Sequence, residues 1–214
     1  MDLNELKHQQ IKDFYLFPPE EYGRIFAFVD FANVRRWAKD FWPEENKTFL
    51  KREIDIEKLA EIINCAEVSK KYFYYGQFEE FPNLPPSYTQ NIKHRQSTYR
   101  LDKARKAGFK VRTKNIKVIN DFDADGKFVE KINKCNFDVE MTMDIMQQID
   151  NYDTVFLWSG DSDFHLLLQY LKSKKKKVIV CCSRNFLSKE LQKNADRIIP
   201  ADPLRDYLEY IREI

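Results

Sequence analysis

Two aspartates are separated by a single residue in the segment Ser159-Gly160-Asp161-Ser162-Asp163-Phe164. The apolar run Thr154–Trp158 before it predicts a buried strand, and the apolar residues after it have the spacing of one helix face: Phe164, Leu167, Leu168 and Leu171. Asp161 and Asp163 are therefore expected at a strand-to-helix turn. In an open α/β sheet such a turn lies at the carboxyl edge of the strands, where ligands bind.

Two further segments offer an acid at the end of a predicted element. Asp30 follows the strand-like run Arg24–Val29, and Asp138 opens a predicted helix that extends to Ile149. Any one of these aspartates alone is better explained as a helix N-cap, because Asp is favoured there and complements the helix dipole. Carboxylates that converge from several segments are the ligands that Mg²⁺ or Mn²⁺ prefers. The set together predicts a metal site.

These acids and their neighbours resemble the NYN domain, in the LabA-like branch of the PIN-like nuclease superfamily. Three segments carry the resemblance, in the family's order and with similar spacing: Val29–Val34, Phe137–Val139 with Asp144 six residues further on, and Leu157–Phe164. The resemblance extends roughly from Arg24 to Pro200. The chain departs from the family at Phe31, where Gly is frequent, and in the stretch Phe78–Arg100, and neither departure changes the acids.

The resemblance implies a metal-dependent nuclease that hydrolyses phosphodiester bonds, in single-stranded RNA, with one or two Mg²⁺ or Mn²⁺ ions as cofactor. Asp30, Asp138 and Asp161 would be catalytic metal ligands, and Asp163 would bind metal directly or through water. Asp144 would only support the site, because its offset from Asp138 turns it away on an ideal helix. The remaining supporting positions are Asn33, which would orient a ligand or touch the phosphate, and Ser159.

Basic and polar residues flank the predicted site at two places. Ser183, Arg184 and Asn185 follow a predicted strand and should emerge at the acidic edge. A predicted helix from Tyr88 to Ala107 carries cations that include Arg95, Arg100 and Lys103, and we expect Arg95 and Arg100 to contact RNA. An exposed charged face explains this helix equally well, and both explanations stay open. The run Lys174–Lys177 precedes its strand and is expected at the opposite edge.

Composition describes one globular domain in a chain of 214 residues. The net charge of +2 does not by itself indicate nucleic-acid binding. No apolar run approaches the roughly 18 residues of a membrane span, and the N-terminus is polar, so we expect neither membrane association nor secretion. The four cysteines have no Cys-x-x-Cys spacing, which disfavours zinc and a disulfide framework and predicts a cytoplasmic protein.

Other chemistries match the sequence poorly. The segment Asp121–Gly126 resembles half of an EF-hand loop, but Ile132 stands where calcium needs a Glu, so a hairpin turn at Asp123–Gly126 is predicted instead. An aspartyl-phosphate enzyme would need an acid two residues after Asp30, where this chain has Ala32. None of the five glycines forms a dinucleotide or P-loop motif.

Predicted strands that alternate with helices indicate an α/β fold with a mostly parallel central sheet. The resemblance specifies a PIN-like three-layer sandwich with the strand order 3-2-1-4-5. We expect an N-terminal arm over residues 1–23, the NYN/PIN-like domain over residues 24–200, and a C-terminal helix packed on it over residues 201–214. Two alternatives remain: a non-catalytic NYN-like module that binds RNA or protein, and a DNA-directed nuclease of the same superfamily.

Overall fold

The computed structural model describes residues 9–10, 13, 15, 17–43, 51–122 and 128–212. The predicted hairpin turn at Asp123–Gly126 lies outside the described residues, as does most of the predicted N-terminal arm. Within the described ranges, none of the helices combines the length and the apolar character needed to span a bilayer.

Strands and helices alternate through most of the chain. The strands are β1 (Ile25–Asp30), β2 (Lys51–Ile54), β3 (Lys70–Tyr74), β4 (Lys110–Arg112), β5 (Lys117–Phe122), β6 (Phe128–Lys134), β7 (Thr154–Trp158), β8 (Lys177–Cys182), β9 (Arg197–Pro200) and β10 (Glu209–Arg212). The helices are α1 (Pro19–Tyr22), α2 (Phe31–Arg36), α3 (Ala38–Phe41), α4 (Ile56–Cys65), α5 (Thr89–Lys106), α6 (Asp138–Gln147), α7 (His165–Ser173) and α8 (Lys189–Asn194).

A six-stranded sheet forms the centre of the fold, in the order β4-β3-β1-β7-β8-β9, and every neighbouring pair is parallel. The predicted α/β class and parallel sheet are confirmed. Five of its strands follow the predicted order 3-2-1-4-5, and β9 adds a sixth strand at the edge. Strands β1 and β7 are neighbours, so their carboxyl ends meet.

Both faces of the sheet are covered, which explains why its central strands consist of continuous apolar runs. On one face, the Phe28 ring stacks on Tyr72 with their centroids 5.0 Å apart. On the other face, Trp158 lies between Tyr15 and Trp37, at centroid distances of 6.5 Å and 6.3 Å. Tyr15 therefore ties part of the N-terminal arm to the core.

The predicted C-terminal helix is wrong. The chain instead forms β10, which pairs antiparallel with β2 and places Tyr210 opposite Glu53. Leu208, just before this strand, is fully buried. The alternation of apolar and polar residues is too short here to separate helix from strand, and the pairing with β2, more than 150 residues earlier, decides the conformation.

A largely buried ion pair joins β2 to α5. The Nη2 atom of Arg100 lies 2.7 Å from each carboxylate oxygen of Glu53, and the two side chains are 9% and 14% exposed. Burial alone would raise the pKa of Glu53, but the charges of Arg100 and Arg35 outweigh it and lower that pKa. The pair fixes one face of the long helix against the β2–β10 ribbon.

We predict that Arg100→Met lowers the free energy of unfolding by about 3 kcal/mol, because it leaves the Glu53 carboxylate largely buried without its main cation. Urea denaturation followed by circular dichroism measures the change. Arg105→Met is the matched control, since Arg105 lies on the same helix in an exposed pair with Asp102, and its loss should stay below about 1 kcal/mol. Equal, small losses for both variants would contradict a structural role for the Glu53–Arg100 pair.

Candidate metal centre

Asp30 ends β1 and begins α2, so its carboxylate lies at the carboxyl edge of the sheet. One oxygen, Oδ1, accepts a hydrogen bond of 3.2 Å from the backbone nitrogen of Asn33, which makes Asp30 the N-cap of α2. The other oxygen, Oδ2, accepts a hydrogen bond of 3.3 Å from the hydroxyl of Ser159. The side chain is buried, with 9% of its residue surface exposed. Asp30 is therefore both a helix N-cap and, as predicted, an acid at the end of a strand.

The loop after β7 brings a second carboxylate to the same edge. Ser159 is fully buried, and its hydroxyl oxygen also accepts a hydrogen bond of 3.3 Å from the backbone nitrogen of Asp161. Asp161 in turn caps the short helical turn Ser162–Phe164 by accepting from the backbone nitrogen of Asp163 at 3.1 Å. Ser159 thus connects Asp30 to the backbone that carries Asp161.

Asn33 and Gly160 hold this loop against α2. The side-chain oxygen of Asn33 accepts from the backbone nitrogen of Gly160 and from the indole nitrogen of Trp37, each at 3.2 Å. A Cβ atom at Gly160 would lie 2.1 Å from the carbonyl oxygen of Phe186, so the close approach of the two loops requires glycine. Asn33 therefore acts on the geometry of the loop rather than pointing its amide oxygen at a ligand.

Asp138 and Asp163 complete the group of acids. Asp138 begins α6, and its buried Oδ2 atom has no hydrogen-bond donor within the described part of the chain. Among its neighbours, the Asn136 side chain hydrogen-bonds with the Asp138 carboxyl and favours its ionised form, and the Asp163 carboxyl favours its protonated form. Burial raises the pKa of Asp138, and the charges of Asp161 and Asp163 raise it further. A cation near these carboxylates would offset the repulsion between their charges.

Burial is also the main reason that the pKa of Asp30 is raised from 3.8 to about 6. The charges of Asp138 and Asp161 add to the increase, while the hydrogen bonds from Asn33 and Ser159 oppose it. The four predicted acids thus lie close enough to interact electrostatically. Without a cation, the ionised form of the site is costly, because the buried charges repel one another.

An all-oxygen donor set with an unsatisfied buried carboxylate oxygen fits a hard divalent cation. Among the described residues, no group of three or more His, Cys, Asp or Glu side chains closes around one point tightly enough to hold a metal directly. Mg²⁺ commonly keeps several waters and binds through one or two carboxylates together with substrate phosphates. A group of acids that falls short of direct coordination by three side chains is compatible with that hydrated mode of binding.

Comparison with known proteins gives the family. The model of the NYN domain matches residues 24–205. The chain belongs to the NYN domain family. A relative, the low amplitude and bright protein LabA of Synechococcus elongatus, is 28% identical over 102 residues, which are 48% of this chain and 53% of LabA. The match thus spans about half of LabA, and the predicted NYN domain is confirmed.

A solved structure supports the same fold for this NYN domain. It is the crystal structure of a protein of unknown function from Vibrio parahaemolyticus, which aligns with a TM-score of 0.58 and 23% identity. The alignment covers 87% of this chain and 97% of the other. The likeness concerns the fold alone.

Asp144 lies apart from the four acids of the NYN domain. Its Oδ2 atom accepts hydrogen bonds of 2.8 Å from the Tyr74 hydroxyl and from Nε of Arg112, and its Oδ1 accepts from the same guanidinium at 3.0 Å. Arg112 therefore neutralises Asp144 and ties α6 to the ends of β3 and β4. This agrees with the supporting role expected from the six-residue offset.

The residues predicted to contact substrate differ in their exposure to solvent. Ser183 is buried and donates to Asp40 at 3.3 Å, so its hydroxyl holds the loop after β8. Arg184 and Asn185 are both exposed on that loop. Arg95 is exposed on α5. The expectation that Arg100 contacts RNA is corrected, because its guanidinium is buried in the pair with Glu53.

A groove that the sequence analysis missed lies beside Asp30. It is a cavity of about 690 Å³ lined by Ala32, Tyr75, Gly76 and Cys135 near the sheet edge, and the charge of Asp30 acts on Cys135. Its basic residues are Arg35, Arg36, Lys39 and Arg52. We call this cavity the basic groove. The cations follow Asp30 directly in the sequence, which was the available signal.

The metal-free NYN domain should lose stability as the pH rises. A carboxyl whose pKa is 3.8 unfolded and about 6 folded stabilises the fold below pH 4, and this contribution is lost as the pH rises through 6. We predict that Asp30→Asn, which removes the charge, raises the free energy of unfolding at pH 7.5 in EDTA by roughly 3 kcal/mol and changes it little at pH 4. Urea denaturation at both pH values measures the difference. A loss of stability at pH 7.5 would contradict the assignment of a repulsive, buried charge.

Proposed function

We propose that this NYN domain hydrolyses phosphodiester bonds in single-stranded RNA, with Mg²⁺ or Mn²⁺ as cofactor. The observation that carries the proposal is the group of interacting carboxylates at the switch point of the sheet, with the buried Oδ2 of Asp138 unsatisfied in the described structure. Membership of the family supports a nuclease- or RNA-related role. The metal dependence and the substrate are inferred from the chemistry of the site.

Asp30, Asp138 and Asp161 would hold the cation, with Asp163 bound directly or through water. A divalent ion bound there would lower the pKa of a water molecule and offset the charge that develops on the leaving oxygen. The hydrogen bond from Ser159 orients the Asp30 carboxylate. The hydrogen bond between Asn33 and Gly160 holds the loop that carries Asp161 against the start of α2, next to Asp30. The chain's own contribution is thus a pre-arranged set of negative oxygens.

The basic groove would hold the phosphates on either side of the cleaved bond. Arg36 and Lys39 are exposed there, with Arg36 over the Phe186 ring at 5.7 Å. Phe78 lines the same cavity and is half-buried, so its ring offers aromatic surface to unpaired bases, whereas Tyr75 is only 7% exposed. A single strand can present phosphates and bases to such a groove at the same time, which favours single-stranded over paired substrates. DNA remains the alternative substrate, because the metal-bound phosphate is the same in both.

A non-catalytic RNA-binding module is the second candidate function. The lack of a closed, direct metal-ligand set among the described residues favours it. In this case the basic groove would bind RNA and the acids would bind a cation weakly or not at all. Cleavage assays separate the two functions.

The direct test incubates the purified protein with labelled single-stranded RNA and DNA in Mn²⁺, Mg²⁺ or EDTA. We predict cleavage of RNA in Mn²⁺ or Mg²⁺ and none in EDTA. Asp161→Asn should lower the rate at limiting Mn²⁺ by about 100-fold or more, since even indirect partners of a metal commonly contribute 10–100-fold. Asp144→Asn is the matched carboxylate outside the acid group. A fully active Asp161→Asn variant would contradict the metal assignment, and RNA binding without cleavage would support the second candidate.

A second prediction concerns the basic groove. Neutralising Arg36 and Lys39 to Gln should weaken RNA binding and reduce the slope of log Kd against log salt by about 1.4, because each lost phosphate contact on a single strand removes about 0.7. Fluorescence anisotropy in EDTA measures the slope. Lys174→Gln with Lys175→Gln is the control, because these exposed lysines lie before β8, at the opposite sheet edge. A larger effect from the control pair would show that the RNA follows another path.

A further inference from the structure

A second cavity lies next to the basic groove, between α5, the start of α4 and the β2–β10 ribbon. It measures about 230 Å³, and we call it the tyrosine pocket after Tyr99 and Tyr210. Arg95, Gln96 and Lys103 are among its other lining residues. Sites for whole small molecules usually measure roughly 300–1,000 Å³. This pocket is therefore of a size for part of a nucleotide.

The two tyrosines of the pocket share one lysine. The ammonium nitrogen of Lys103 lies 5.5 Å from the centroid of the Tyr99 ring and 4.9 Å from that of Tyr210, and it pairs with Glu57 at 3.1 Å. Lys103 already occupies one aromatic face, so a cationic ligand has no advantage there. Tyr99 is 53% exposed, which leaves ring surface for a planar group to stack on.

The charges around the pocket leave Arg95 available for an anion. Arg100 is paired with Glu53, Lys103 with Glu57, and the Asp55 carboxylate accepts the backbone N–H groups that begin α4. Within the described structure, the side chain of exposed Arg95 has no recorded hydrogen bond or ion pair. A stacking surface next to a free guanidinium matches a base and its phosphate.

The pocket adjoins the proposed RNA path at one shared lining residue. Glu53 lines both cavities, and its carboxylate accepts from Arg35 on the side of the basic groove and from Arg100 on the side of the pocket. The basic groove in turn begins beside Asp30. A strand that follows the groove past Glu53 would meet Tyr99 on the far side.

We propose that the tyrosine pocket is a second RNA subsite, in which Tyr99 stacks on one unpaired base and Arg95 binds an adjacent phosphate, away from the bond that is cleaved. This inference rests on the proposed function, since it extends the path of the same strand. It gives this domain a minimum substrate length and a preference for an unpaired base at one fixed distance from the cleavage point. The alternative occupant of the pocket is a protein segment, and the test must distinguish it from RNA.

The test measures binding of single-stranded RNAs from about 4 to about 16 nucleotides, the range that single-strand sites cover, by anisotropy in EDTA. For the parent protein, affinity should rise once the strand reaches the pocket. Tyr99→Ala should lose roughly 5- to 150-fold in affinity for the long strands, the equivalent of one stacked base, and Tyr99→Phe should retain it. Arg95→Gln should reduce the salt slope by about 0.7.

An abasic residue placed at each position of a long strand tests the stacking itself. The parent should lose affinity at one position, and Tyr99→Ala should be insensitive to the change at that position. Tyr170→Ala is the matched control, because Tyr170 is 38% exposed and has Lys174 over its ring at 5.5 Å, on α7. Arg105→Gln is the control for Arg95 on the same helix.

The outcomes separate this inference from the proposed function. RNA binding that depends on Tyr99, with no cleavage in Mn²⁺, would keep the subsite and overturn the nuclease proposal. Cleavage of long strands by Tyr99→Ala and Arg95→Gln with parental affinity would overturn the subsite and keep the nuclease. Equal effects of the Tyr99 and Tyr170 variants, or no RNA binding by the parent, would also overturn the subsite.

Discussion

The buried negative charge of Asp30 is the constraint on which the rest of the site depends. Burial and the neighbouring carboxylates of Asp138 and Asp161 raise its pKa to about 6, so at neutral pH the metal-free protein holds an ionised group where a proton is favoured. A local arrangement that is unfavourable without its ligand persists when the contacts around it hold it in place. The hydrogen bonds of Asp30 to Ser159 and to the backbone of Asn33 provide that support.

The parallel sheet explains why these acids meet. Strands β1 and β7 are neighbours with the same direction, so Asp30 and the loop of Asp161 leave the sheet at one edge. The same arrangement also positions the basic side chains that line the basic groove. Helix α2 starts at Asp30, and its arginines line the basic groove within two turns of the carboxylate. Negative oxygens for a cation and positive groups for phosphates are thus supplied by one strand and the helix that follows it.

Local patterns were sufficient for the sheet and for the acids. Continuous apolar runs identify β1, β7 and β8, and an acid directly after such a run can lie only at the strand end. Three features needed tertiary information. The strand β10 forms because β2 is available for pairing, and Arg100 is buried because Glu53 lies opposite it. Helix α5 is polar all round, so its sequence does not indicate which cations face the protein. The basic groove was missed because the direction of α2 is set by packing.

The central claim is that Asp30, Asp138, Asp161 and Asp163 bind a divalent cation. A crystal of the protein grown or soaked with Mn²⁺ tests this most directly through the anomalous scattering of manganese. The account predicts an anomalous peak between the four carboxylates, with at least one carboxylate oxygen directly coordinated and water completing the coordination. The same crystal of Asp161→Asn should show a weaker peak or none. A full-occupancy peak elsewhere, with these carboxylates unliganded, would contradict the account.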